Sequence, residues 1–127
     1  MATRSYIAVQ DGEELLVSYV HFDGYPKARM PILEKYNTIE AATALINLGD
    51  MSAIAETLDE CDTYFKQGEE WENVKPFHVS LDDFLTKSGD HCIEFLYLFN
   101  EDKNAWEWYR VKLFKNNLNF FFLKVLF

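Results

Sequence analysis

Tyr19-Val20-His21-Phe22-Asp23-Gly24-Tyr25-Pro26 decides how this chain is read. An aromatic, β-branched run enters an Asp-Gly pair and stops at a proline. Glycine takes positive φ without steric cost, and proline fixes φ and donates no hydrogen bond. The stretch therefore ends a strand, turns, and hands over to the helix-like segments that follow.

Upstream, Ser5–Val9 and Leu15–Phe22 read as strands, with Gln10-Asp11-Gly12 as the hairpin signal. In the second strand Leu15, Val17, Tyr19 and His21 share one face, and Leu16, Ser18, Val20 and Phe22 the other. Both faces are partly apolar, which predicts a central or covered strand. Downstream, Met30–Tyr36 reads as a short helix with Pro31 in its first turn. Asn37 and Glu40 form a capping-box pair for a second helix bearing Ile39, Ala42, Leu45 and Ile46, stopped by Gly49. Asp50–Leu58 reads as a further short helix and Asp59–Pro76 as a long surface loop. Phe77–Val79 is a short strand. Ser80 with Asp83 marks a helix start, where Asp82 and Asp83 suit the helix dipole. Cys92–Phe99 and Ala105–Val111 form an antiparallel pair across the polar turn Asn100–Asn104. The expected fold is α+β: an antiparallel sheet of about four to five strands, with two to four short helices on one side. The domain spans residues 1–111. The apolar tail 112–127 packs on that domain or at a dimer interface.

The chain of 127 residues has a net charge of −9 and is 17% aromatic. Such composition suits a folded core rather than disorder. The charge is uneven. Residues 1–50 carry a net −3, residues 51–102 a net −10 and residues 103–127 a net +4. This disfavours sequence-independent binding to nucleic acid or to anionic membranes, which requires clustered Lys and Arg. It permits a basic protein partner. Cys61 and Cys92 lie outside any metal-ligand spacing, and no leader-like segment is evident, so the expectation is a reduced cytosolic protein. The apolar run beginning at Phe120 is too short to span a bilayer as a helix.

Constellations that carry chemistry are sparse. His21 and Asp23 meet as base and orienting carboxylate only if the strand persists to Asp23. His91 and Cys92 are neighbours facing opposite ways, and Cys92 reads as a buried structural cysteine. The five glycines are scattered singly, so no phosphate loop exists. Glu69, Glu70 and Glu72 surround Trp71 without a calcium-loop pattern. No catalytic, metal or cofactor site is assigned. Candidate binding residues are His21, Asp23, Tyr25, Lys27 and Arg29 at the turn, and Glu69, Glu70, Trp71 and Glu72 in the acidic segment.

The chain resembles a family of small acidic proteins encoded by bacteriophages and prophages. The resemblance runs from Ser5 to Val111. Its marks are Ser5-Tyr6-Ile7, His21-Phe22-Asp23-Gly24-Tyr25-Pro26, Ile32-Leu33, Tyr36-Asn37, Leu45-Ile46, Leu48-Gly49-Asp50-Met51-Ser52, Lys75-Pro76 and Phe95-Leu96-Tyr97-Leu98-Phe99. It implies an accessory protein of the infected cell's cytoplasm, a monomer or homodimer. The expected activity is non-enzymatic: binding and inhibiting a host protein such as an antiphage defence enzyme. Two alternatives stay open. One is a binder that sequesters a nucleotide signal with Tyr19, Tyr25, Lys27 and Arg29. The other is a small hydrolase using His21 and Asp23.

Overall fold

Strands β1 (Ser5–Asp11) and β2 (Glu14–Val20) form a hairpin whose register runs from Ser5 opposite Val20 to Asp11 opposite Glu14. The loop is two residues, and Gly12 adopts φ +65°, the conformation such a tight turn requires. The computed structural model describes residues 2–87, 92–113 and 120–125.

The remaining elements follow in chain order. Helices α1 (Pro26–Leu33) and α2 (Ile39–Ile46) precede strands β3 (Met51–Ala53) and β4 (Asp62–Thr63). Then come α3 (Trp71–Val74), β5 (Phe77–Val79) and α4 (Leu81–Lys87). Strands β6 (Phe95–Asn100), β7 (Ala105–Leu113) and β8 (Phe120–Val125) complete the series. The strand order is β4-β3-β2-β1-β6-β7-β8, with β5 also paired to β2.

The fold is α+β, but the sheet is mixed and wider than four to five strands. β1 runs parallel to β6, and β2 parallel to β3; the other pairings are antiparallel. The helices do not sit on one side. α1 and α2 cover the face of Ile7, Val9, Leu16 and Val20, joined there by Tyr97, Phe99 and Trp106. On the opposite face Tyr6, Ala8, Leu15, Val17 and Leu96 pack with Phe84 of α4. The doubly apolar pattern of β2 is the physical reason: a strand with Leu15-Leu16-Val17 in succession needs cover on both faces.

Local chemistry shifts several boundaries. α1 starts at Pro26 rather than near Met30, because a proline at the first helical position is already set at helical φ. Pro31 therefore lies inside the helix, and α1 ends one turn later in a 3₁₀ segment, Glu34–Tyr36. The N-cap of α2 is Thr38, whose Oγ1 accepts from Ala41 N at 3.1 Å, in place of Asn37. Asp50–Leu58 is not a helix. Met51 and Ser52 continue the β2 ladder instead, accepting from His21 N and Phe22 N at 3.0 and 2.8 Å. Within residues 59–76 the expected loop carries a 3₁₀ turn (Leu58–Glu60), β4 and α3. Ser80 Oγ does cap α4, accepting from Asp83 N at 3.1 Å.

Cys92 is exposed with φ +61° just before β6, not buried; Cys61 is the buried thiol. His91 lies outside the described residues. Of the tail, residues 120–125 pair with β7 from Leu113 to Trp108, and the rest of 114–127 is outside the described residues.

Candidate binding surface at the junction of β2 and α1

The residues following β2 are held by backbone contacts on every side. Gly24 N donates to Thr3 O at 2.9 Å, and the Tyr97 hydroxyl donates to Gly24 O. A Cβ on Gly24 would lie 2.5 Å from Thr3 O and 3.0 Å from Ser5 Cβ, so no side chain fits. Asp23 takes φ +58° and turns the chain away from the strand direction. The Asp-Gly pair thus brings the start of β1, the end of β2 and β6 to one point.

Arg29 locks that point from beneath. It is only 2% exposed. Its Nη1 donates to Ser5 Oγ at 2.7 Å and its Nη2 to Phe22 O at 2.6 Å, while the guanidinium lies 5.7 Å from the centre of the Tyr97 ring. Burial lowers its pKa to about 10, countered in part by Tyr97 and Asp23. The same burial pushes the Tyr97 phenol up. Arg29 is therefore a structural cation whose donors face inward. Of the two cations placed by sequence beside a ligand's phosphates, Lys27 is exposed and Arg29 is internal.

His21 and Asp23 are not brought together. β2 ends at Val20, so the extended geometry that puts residues two apart on one face is lost. His21 Nδ1 instead shares a 2.6 Å hydrogen bond with the Tyr19 hydroxyl, and its ring meets Phe22 edge-on at 4.5 Å. What the junction exposes is aromatic: Phe22 at 46% and Tyr25 at 44%, flanked by Asp23 and Lys27.

The second candidate segment adjoins this one through β3. Phe22 N donates to Ser52 O, and Gln67 Nε2, two residues before Glu69, donates to Ser52 Oγ at 2.9 Å. Glu69, Glu70, Trp71 and Glu72 are all exposed, and Trp71 stands edge-to-face with exposed Phe65 at 5.5 Å. Glu72 pairs with Lys75 at 2.8 Å on the open surface, a contact of small energetic weight.

Asp50 is the residue the sequence reading passed over. β5 pairs with β2 up to Val17 and β3 begins at Val20, which leaves Tyr19 N between the two ladders. Asp50 Oδ1 accepts from it at 3.0 Å. Burial raises the Asp50 carboxyl to about 6, with the Tyr19 hydrogen bond opposing the rise. The signal available in sequence was an acid directly after the helix-stopping Gly49, in a segment read as helical.

Elsewhere, a half-open cleft of about 300 Å³ is lined by Val9, Gln10, Asp11, Leu16, Thr43, Asn47 and His78, none of them a candidate residue. Among the described residues no group of three His, Cys, Asp or Glu side chains could hold a metal ion. No described helix is long and apolar enough to cross a membrane. No family model, curated protein or solved structure matches this chain.

Proposed function

We propose that this protein is a non-enzymatic binder of the phage accessory type, which docks on a host protein and inhibits it, with an antiphage defence component as the leading target. The observation that carries this reading is the exposure of large apolar side chains on an acidic protein. Phe22, Tyr25, Phe65, Trp71, Phe77 and Leu81 are each 38–54% exposed. Aromatic anchors inside a charged rim are the usual composition of a protein interface. The commitment of Arg29 to Ser5 and Phe22, and of His21 to Tyr19, supports binding over nucleotide capture or hydrolysis. The setting is the host cytoplasm, without a membrane or nucleic-acid partner, as a monomer or homodimer.

The test is affinity capture from bacterial lysate with defence systems expressed. The wild-type chain and a Phe22→Ala/Tyr25→Ala variant are compared, followed by reconstitution with the purified partner. A stoichiometric partner lost from the variant is the expected result. Its absence across several salt concentrations contradicts the proposal.

A further inference from the structure

We propose that the corner between Phe65 and Trp71 receives the cationic head of a Lys or Arg from a basic peptide segment of the partner. This rests on the protein-binding reading and names the chemistry of one contact within it. The two rings meet edge-to-face at 73° with centres 5.5 Å apart, forming an aromatic corner. Phe65 is 54% exposed and Trp71 38%. One edge of the indole is seated against Gly49, where an added Cβ would lie 3.0 Å from Cζ3. Cations are attracted to aromatic faces by the ring quadrupole, most strongly to Trp.

Charge complementarity selects the occupant. Residues 59–72 contain six carboxylates and one lysine. That lysine, Lys66, donates to the carbonyls of Asp59 and Cys61, and Lys75 is held by Glu72. Among the described residues Glu69 and Glu70 have no ion pair, so the carboxylates beside Trp71 in sequence are left for an incoming cation. An acidic segment would be repelled by this charge.

The experiment follows the Trp71 indole N–H resonance of the full ¹⁵N-labelled chain during titration with an acetylated tetra-arginine peptide. Tetra-citrulline, which keeps the shape and loses the charge, is the control. A saturable shift with arginine and none with citrulline is expected. Trp71→Ala should weaken peptide binding about fivefold. If that variant fails to fold, Phe65→Ala and Trp71→Phe serve, each with a smaller loss. Equal response to both peptides, or unchanged affinity in all three variants, overturns the proposal. So does spermidine binding as tightly as the peptide, which would assign the corner to free polyamines. A captured partner that binds Trp71→Ala normally refutes this contact and leaves the protein-binding reading standing. Peptide binding at Trp71 without any captured partner does the reverse.

Discussion

At the scale of single residues, two positions at the sheet margin are fixed for different reasons. Gly24 is there because the chain passes too close to Thr3 O for a Cβ. Gly24→Ala must displace backbone, and overpacking of this kind costs about 1–3 kcal/mol. A lowered urea midpoint with an unchanged m-value would be the signature. Asp50 is there to satisfy Tyr19 N, at the cost of a partly buried charge. Its folded pKa of about 6 lies above its ordinary value of 3.8. Its contribution is therefore fully favourable below about pH 3.8 and is lost as pH rises through 6. Asp50→Asn keeps an acceptor for Tyr19 N and has no charge to bury. The variant should match the wild type near pH 4, exceed it at pH 7, and show a flatter stability profile between. Paired urea titrations at the two pH values would reveal this, and a variant less stable at pH 7 would contradict it.

At the scale of elements, two helix-to-sheet ties run through single polar atoms beside the apolar packing. Buried Ser18 on β2 donates to Ile46 O, at the end of α2, at 2.6 Å. Trp106 Nε1 on β7 donates to Tyr36 O at 3.0 Å. Ser18→Ala removes this donor but leaves Gly49 N on the Ile46 carbonyl at 3.0 Å, so it should cost about 0.5–1.5 kcal/mol, comparable to the loss of about 1 kcal/mol for removing the Thr38 cap with Thr38→Ala. Chemical denaturation of the two variants tests this, and a loss above about 3 kcal/mol for Ser18→Ala would contradict it. The C-terminal strand is a different case. β8 pairs with β7 over six residues, and its loss would leave the β7 edge open. Deletion after Asn117 should lower the melting temperature and promote aggregation; unchanged stability would contradict a structural role for β8.

The elements also show what could be read in the sequence. The doubly apolar run of Leu15 to Val20, the Asp11-Gly12 turn and the pairing of β6 with β7 were legible, because strand pattern and turn chemistry are local. The parallel contacts of β1 with β6 and β2 with β3 were not, since they join segments far apart in sequence. Met51, Ile54 and Leu58 have helical spacing, which favours a helix at β3; the open edge of β2 overrides it. The junction was legible as a turn and Tyr25 as a candidate, whereas Phe22 was not among the candidate residues. That Arg29 faces inward and Asp50 fills a gap between two ladders depended on packing that no local pattern encodes.

At the scale of the whole molecule, charge and aromatic exposure point the same way. A net charge of −9 would favour encounter with a basic partner and would make the association rate of such a complex fall with salt. The exposed rings at the junction and in the acidic segment would supply the anchors once the encounter has formed. The most direct test is the dissociation constant of the reconstituted complex by calorimetry, for the wild type and for Phe22→Ala/Tyr25→Ala. Melting temperatures of the two free proteins serve as the folding control. The account predicts a one-to-one complex weakened about a hundredfold or more in the variant, as expected for the loss of two interface anchors, with little change in melting temperature. Equal affinity for both proteins would contradict it.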